Sequence, residues 1–200
     1  LRPVLQPGNL VAGQWRARTD EQLPALSPEL LHSRAPLFDE PAPAAAIAWV
    51  TVLLATSLPD GLPYPRVHAA LDGLLRAIEA APAARDWAAA VARFELLLLG
   101  ELGFGLALDA CVVTGEIDDL AFVSPRSGGA VSVAAAAGYE ARLLRLPAFL
   151  RSGGPAGWAA ILDALALTGH FLARDLLIGR QAEVLAARTR LVDRLAHAVA

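Results

Sequence analysis

The chain has no lysine, no methionine and a single cysteine, Cys111, among its 200 residues. One thiol excludes a disulfide within the chain, and such sparse cysteine usage is typical of cytoplasmic proteins. Because lysine is absent, all 17 basic residues are arginine, and any phosphate contact would be made by a planar guanidinium. Without methionine the chain shows no initiator residue, so we expect it to begin inside a longer gene product. Its first residues do not have the pattern of a signal peptide.

Aromatic residues are also scarce, at 6% of the chain, although hydrophobic residues make up 56%. Alanine and leucine dominate that fraction, which favours packed helices over a sandwich of sheets. The net charge of −3 excludes a polycation that would bind nucleic acid by overall charge. One stretch nevertheless holds Arg126, Arg142, Arg145 and Arg151 against a single acid, Glu140. This stretch is either a basic face or a set of ordinary solvated loops.

The first 34 residues predict extended structure. Apolar Val11, Trp15 and Ala17 alternate there with polar Gln14, Arg16 and Arg18. Pro24 and Pro28 exclude the next segment from the centre of a sheet. One strand with a proline-broken partner cannot form a stable sheet alone. The segment therefore belongs either to a larger sheet or to an arm that packs on helices.

After a proline-rich junction, the spacing of apolar residues predicts five main helices. They cover residues 44–57, 66–80, 87–102, 156–178 and 181–199, with shorter helical pieces near 132–137 and 147–150. Asp86 is the expected N-cap of the third helix. Glu95 of the same helix is expected to point away from its apolar face. The first helix has no charge, but flanking prolines limit it to about 14 residues, or ~21 Å. Because a bilayer core is ~30 Å thick, we expect a buried core helix and no membrane contact.

Six segments in series resemble the bacterial recombination mediator family RecO. They are the opening LRPVLQPGNLVAGQWRAR, the succession of ELGFGL, DxCxxTG and FVSPRSGGAVS, the LPAFL at 146–150 and the LTGHFL at 167–172. The resemblance covers nearly the whole chain and implies an OB barrel followed by a helical domain. We therefore predict an α+β, mostly α fold. Residues 1–37 would be the C-terminal part of an OB-fold barrel that lacks its first strands, and 38–200 an all-helical domain with a knuckle at about 104–133.

Some RecO proteins carry a four-cysteine zinc knuckle, and this chain departs from that pattern. Thr114 stands where the second thiolate of a CxxC pair with Cys111 would be, and the later cysteine pair is missing. A structural zinc site needs about four ligands, so we expect neither metal nor cofactor. We expect Cys111 to be a half-buried hydrophobic residue. Packing of Leu120, Phe122 and Val131 is expected to hold the zinc-less knuckle together.

The sequence contains no recognisable catalytic apparatus. No nucleophile elbow or nucleotide-binding loop is present, and the four histidines lack metal-site spacing. His170 is predicted to be a hydrogen-bonded core histidine, next to a glycine, Gly169, that admits close approach of another helix. We expect that the protein is not an enzyme.

By resemblance, the expected function is recombinational repair in the cytoplasm. A RecO-like protein binds single-stranded and duplex DNA, anneals strands and helps load recombinase onto strands coated by single-stranded-DNA-binding protein. Pro125 and the glycine pair after Ser127 predict a rigid turn with an arginine at its tip. The candidate DNA contacts are Arg16, Arg18, Arg126, Arg142 and Arg145. We predict that Trp15 is barrel core rather than a platform for stacking bases.

The resemblance also implies two protein partners, the RecR ring and the acidic C-terminal tail of single-stranded-DNA-binding protein. Such a tail ends in an apolar residue and needs an apolar slot rimmed by arginine. The candidate rim is the margin of the last helix, with Arg188, Arg190 and Arg194. The alternative function is a helical module that binds only protein, which the negative net charge favours.

Overall fold

The computed structural model describes residues 3–19, 22–81, 83–179 and 181–198. The segment predicted as extended forms two antiparallel strands, β1 (Leu10–Arg16) and β2 (Ala25–His32). We call this pair the ribbon. Pro28 lies opposite Gly13 within it, because a two-stranded sheet consists only of edge strands, where proline is tolerated. The assignment of the ribbon to an OB barrel stays a prediction.

The prediction that Trp15 is buried was wrong. Its side chain is 66% exposed, although it shares the apolar face of the ribbon with Leu26, the residue opposite it. Alternation identified the face correctly, but no described residue covers the indole. Burial depends on a second layer, and alternation along one strand carries no information about such a layer.

Arg34, just after the ribbon, contacts both the segment that precedes the ribbon and the helix that spans Pro65–Ala80. Its side chain is buried, and its Nη1 donates to the carbonyl oxygen of Gly8 at 2.7 Å. Its guanidinium also forms ion pairs with Asp72 at 3.6 Å and Glu79 at 3.4 Å. His32 adds a contact of 2.7 Å with the same Glu79. These charges orient the ribbon on the helical part of the chain.

In the described residues, seven α-helices follow the ribbon. They are α1 (Pro41–Ser57), α2 (Pro65–Ala80), α3 (Ala84–Glu101), α4 (Val133–Ala136), α5 (Phe149–Ser152), α6 (Trp158–Phe171) and α7 (Gln181–His197). α1 packs against α7, and α3 packs against both α2 and α6. The predicted core role of the uncharged helix is confirmed, since α1 buries Ile47, Trp49 and Leu53 completely. No helix in the described ranges is long and apolar enough to cross a membrane.

Two of the predicted helix boundaries need a correction that bears on the site. α3 begins at Ala84, so Asp86 lies in its first turn, where a carboxylate interacts favourably with the helix dipole, and is not the N-cap. The helix predicted over 156–178 ends at Phe171 and continues as a π turn over Leu172–Leu176. The predicted last residue of the final helix, Val199, lies outside the described residues.

The knuckle is a small sheet rather than a loop in an all-helical domain. Its strands are β3 (Ala107–Cys111), β4 (Leu120–Val123), β5 (Gly129–Ser132) and β6 (Leu144–Arg145), in the order β3-β5-β4-β6. β3 runs parallel to β5, whereas β4 is antiparallel to both β5 and β6. Strands of two to five residues are too short to show a clear two-residue period, which is why the sequence did not predict them. The predicted packing of Leu120, Phe122 and Val131 is confirmed by their burial.

A buried carboxylate lies where the long helices meet. Glu95 of α3 is completely buried, whereas the sequence predicted that it points outward. It accepts hydrogen bonds from Trp49 Nε1 at 2.7 Å and from Arg188 Nε and Nη2 at 2.9 and 2.8 Å. The hydroxyl of Thr168 donates to the same carboxylate. Side chains from α1, α3, α6 and α7 therefore converge on one charge.

Arg188 reaches this carboxylate by crossing α6 at Gly169. A Cβ atom at position 169 would overlap the Arg188 guanidinium, so the predicted close approach of another helix at this glycine is confirmed. The side chain of Arg188 is only 11% exposed. Arg188 is therefore wrong as a rim residue, because its guanidinium is turned into the core and engaged by Glu95.

We predict that replacing two nearby arginines of α7 by alanine changes the stability of the fold by very different amounts. Arg188→Ala leaves Glu95 buried without a counter-charge, and we expect it to lower the free energy of unfolding by about 3–5 kcal/mol. Arg190→Ala removes an exposed arginine and should change that free energy by less than about 0.5 kcal/mol. Urea denaturation followed by circular dichroism measures both. Equal stability of the two variants would contradict the ion-pair assignment.

Candidate nucleic-acid interface

A tight hairpin joins β4 to β5 and carries Arg126 at its tip. The N–H of Ser124 donates to the carbonyl of Gly129, and the N–H of Gly128 donates to the carbonyl of Ser124, both at 2.9 Å. Gly128 has a φ of +73°, which side-chain-bearing residues rarely adopt. The predicted turn is confirmed, and the side chain of Arg126 is exposed on it.

Strand β6 brings two more of the predicted arginines to this sheet. Arg145 pairs with Phe122 across β4 and β6, and its guanidinium carbon lies 5.3 Å from the centroid of that ring. Arg142 is the last residue of a short 3-10 helix, Glu140–Arg142, that precedes β6. Both side chains are exposed. We call Arg126, Arg142 and Arg145 the sheet arginines.

The other two predicted DNA contacts lie in the ribbon. Arg16 and Arg18 are exposed on either side of Ala17, and Arg16 donates to the side-chain oxygen of Gln14 at 3.0 Å. Gln14 and Arg16 share one face of β1, and the exposed indole of Trp15 lies on the opposite face. The structure therefore divides the five predicted arginines between two separate sheets.

Side chains at the end of α6 contact the back of the hairpin. Nε2 of His170 lies 3.0 Å from the carbonyl oxygen of Pro125, so the predicted hydrogen bond is confirmed, but the side chain is half-buried and not in the core as predicted. Arg174, in the π turn, donates to the same carbonyl and to that of Arg126. Arg174 was not among the predicted site residues. The only indication in the sequence was that Arg174 follows His170 by four residues, a spacing that places two side chains on one face of a helix.

An acidic and apolar loop leaves β3, at the sheet edge opposite β6. Residues 112–119 are exposed throughout and contain Glu116, Asp118 and Asp119. Val113 and Ile117, in the same loop, are also largely exposed. Positive and negative charges are thus concentrated on different parts of this domain, which the net charge of the chain does not reveal.

Two of the three predicted rim arginines line a surface cavity. Arg190 and Arg194 of α7 face Pro41 and Ala42 at the start of α1 across a space of about 570 Å³. Asp193 and His197 complete the lining, so the cavity holds one acid among its cations. Arg188 does not line this cavity, because its guanidinium contacts the buried Glu95.

Cys111 lies at the end of β3 and is 3% exposed, so the predicted half-buried position was wrong. Its Sγ accepts a hydrogen bond from the N–H of Ser132 at 3.3 Å. Hydrogen bonding by the Thr114 side chain, together with this N–H, lowers the pKa of Cys111 to about 6, and the effect of burial opposes it. Within the part of the chain that the structure describes, no three His, Cys, Asp or Glu residues form a group that could hold a metal ion.

Comparisons with known proteins agree with the resemblance. The family model described as Recombination protein O C terminal matches residues 41–182. DNA repair protein RecO of Rhodospirillum centenum is 45% identical over 197 residues, which cover 97% of this chain and 77% of the relative. The protein of the same name from Gluconacetobacter diazotrophicus is 44% identical over 196 residues, covering 96% and 77%. That of Paracoccus denitrificans is 46% identical over 193 residues, again covering 96% and 77%.

We predict that the thiol of Cys111 titrates near pH 6 in the folded protein and near its ordinary value of about 8.5 in urea. Because the folded pKa is the lower one, the thiolate stabilises the fold above about pH 8.5. That contribution is lost as the pH falls through about 6. Thr114→Val should raise the folded pKa, as measured by thiolate absorbance near 240 nm. A folded wild-type midpoint near the ordinary value would show that the Thr114 hydroxyl donates to Glu116 instead, from which it lies 3.1 Å.

Proposed function

Since the chain belongs to the RecO family of DNA repair proteins, we propose that it acts in recombination by binding DNA through its sheet arginines. In this role it binds single-stranded and duplex DNA, anneals complementary strands and assists the loading of recombinase onto coated strands. Its place of action is the cytoplasm.

The observation that carries this proposal is that the sheet arginines have no acidic partner among the described residues. All three are exposed, and none of the ion pairs found in the described ranges involves them. A guanidinium that is free of carboxylates can form charge-assisted hydrogen bonds to phosphate oxygens. Because the hairpin already fixes the backbone at Arg126, such a contact orders little additional structure. Phosphate contacts carry no sequence information, which suits a protein that acts on any strand.

The proposed mechanism is electrostatic and involves no bond making or breaking. Two DNA strands repel each other through their phosphates, and arginines between them reduce this repulsion while the bases pair. This chemistry requires no nucleotide, metal or cofactor. We therefore propose that the chain is not an enzyme.

The ribbon offers a second contact surface for single strands. Exposed aromatic rings are platforms on which unpaired bases stack, and nearby arginines bind the flanking phosphates. Trp15 has the required exposure, but alternation places Arg16 on the opposite face of the strand, so base stacking is proposed for Trp15 and separate phosphate contacts for Arg16 and Arg18. In this proposal the ribbon contacts bases and the sheet arginines contact phosphates.

Partner binding is proposed for the cavity between α1 and α7. The family resemblance implies an acidic tail that ends in an apolar residue, from single-stranded-DNA-binding protein. Pro41 and Ala42 supply apolar surface for such a residue, and Arg190 and Arg194 supply the opposite charge. RecR is the second proposed partner. The alternative, a module that binds only protein, is supported by the exposed acidic loop at 112–119.

The DNA-binding proposal predicts a salt-sensitive interaction that depends on Arg126. We expect Arg126→Ala to weaken binding of a fluorescein-labelled single strand by about tenfold or more. Plotted logarithmically against salt, the slope of the binding constant should fall by about 0.7, the value for one lost phosphate contact. Fluorescence anisotropy at about 50 and 200 mM salt measures both quantities.

Arg85→Ala is the matched control, since it removes one exposed arginine from α3. We expect it to retain wild-type affinity and slope. Equal losses in both variants would indicate a response to net charge alone. Absence of any binding by the wild-type chain, together with binding of protein partners, would favour the protein-only module.

The cavity proposal predicts that charge reversal at Arg190 and Arg194 abolishes tail binding. The probe is a labelled peptide with the acidic, apolar-ended C-terminal sequence of single-stranded-DNA-binding protein. The double variant R190E/R194E should weaken it by at least about a hundredfold, because two charge-assisted contacts become repulsive. Arg76→Glu is the control, on α2 and outside this cavity. Unchanged peptide affinity in the double variant would exclude this cavity as the tail site.

A further inference from the structure

The guanidinium of Arg174 is engaged on all its edges by the protein itself. Its Nη1 donates to the carbonyl oxygens of Pro125 and Arg126, the latter at 3.0 Å. Its Nε and Nη2 donate to the two carboxylate oxygens of Asp175 at 2.6 and 2.7 Å. Its face lies over the ring of Phe171, 4.7 Å from the centroid. Arg174 is therefore poorly suited to bind phosphate, because its charge is compensated and four of its five N–H donors are used.

The two carbonyls that Arg174 holds flank a single residue. The carbonyl of Pro125 belongs to the peptide group before Arg126, and the carbonyl of Arg126 belongs to the peptide group after it. Because a peptide group is planar, fixing both groups also fixes the direction in which the Arg126 side chain leaves the backbone. His170 strengthens the first anchor through its own contact with Pro125.

Local backbone geometry brings Arg174 to this position. The residue lies within the π turn Leu172–Leu176, in which the N–H of Leu177 donates to the carbonyl of Leu172 at 2.9 Å. Single π turns inside helices occur frequently at functional sites. Close packing completes the contact, since a Cβ atom at position 128 would lie 3.1 Å from Leu106 Cδ2 and 3.5 Å from the ring of Phe171.

We propose that Arg174, held by Asp175, is a positioning residue that directs Arg126 toward DNA and does not itself touch the nucleic acid. The direction of Arg126 follows from the geometry alone. The DNA part of the inference rests on the proposed function, so two separate experiments are needed.

The first experiment uses no DNA. Arg126–Ser127 is a trypsin site at an exposed loop tip, where proteolysis usually occurs, and Arg174 holds the carbonyl of this bond. Arg174→Ala should speed cleavage there by about tenfold under native conditions, because a charge-assisted anchor is lost. Mass spectrometry of the fragments over time measures the rate. Arg145→Ala, which removes an exposed arginine from the same sheet, should leave the rate unchanged.

The Asp175→Asn variant tests whether misfolding, and not loss of the Arg174 contact, explains faster cleavage. It retains Arg174 and only loosens its orientation, so we expect a smaller increase in cleavage with an unchanged thermal midpoint in circular dichroism. Wild-type cleavage rates in both Arg174→Ala and Asp175→Asn would overturn the positioning role, whatever the protein binds.

The second experiment is a double-mutant cycle on single-strand affinity with Arg126→Ala, Arg174→Ala and the double variant. If Arg174 acts only through Arg126, each single variant weakens binding and the double variant is no weaker than Arg126→Ala. The salt slope of the double variant should also equal that of Arg126→Ala. Independent losses that multiply would show that Arg174 contacts DNA directly and would overturn the inference. Normal DNA binding by Arg126→Ala would instead contradict the proposed function, and the cleavage rates would still test the positioning of the turn.

Discussion

The buried ion pair of Glu95 and Arg188 is the interaction on which the helical part of the chain depends. Removing a carboxylate from water is costly, and here the cost is offset by donors from three helices besides its own. Apolar packing is not directional and would tolerate sliding of one helix along another. A bidentate contact that crosses α6 at Gly169 tolerates no such shift. We infer that this pair sets the register of α7 against the rest of the core.

The same contact links the core to the candidate nucleic-acid interface. Thr168 donates a hydrogen bond to Glu95. His170 and Arg174 follow Thr168 within two helical turns and contact the hairpin that carries Arg126. α6 is therefore anchored at the ion pair and in turn supports the sheet arginines. The hairpin that carries the exposed Arg126 is thus connected to a buried charge through one continuous helical segment.

Much of this arrangement could be predicted from the sequence, and the failures have identifiable causes. Helical periodicity identified the long helices, turn chemistry identified the hairpin of Arg126, and the series of motifs identified the family. Glu95 and Arg188 were placed outside because charged residues are usually exposed, and only tertiary contact shows that they compensate each other. The prediction that Trp15 is buried was wrong for the converse reason, since an apolar face is buried only where another layer covers it. The knuckle strands were missed because their pairing is short and partly non-local, and Arg174 because its role arises from a π turn.

The ion pair also has a consequence for the order in which the protein forms during synthesis. Glu95 precedes its counter-charge by 93 residues. At a translation rate of about 5–20 residues per second, that separation corresponds to roughly 5–20 s. Throughout this interval α3 is available to pack, but packing would bury a carboxylate that has no arginine beside it. Completion of the helical core must therefore wait for α7, so we expect the nascent chain not to close around Glu95 before that helix has been made.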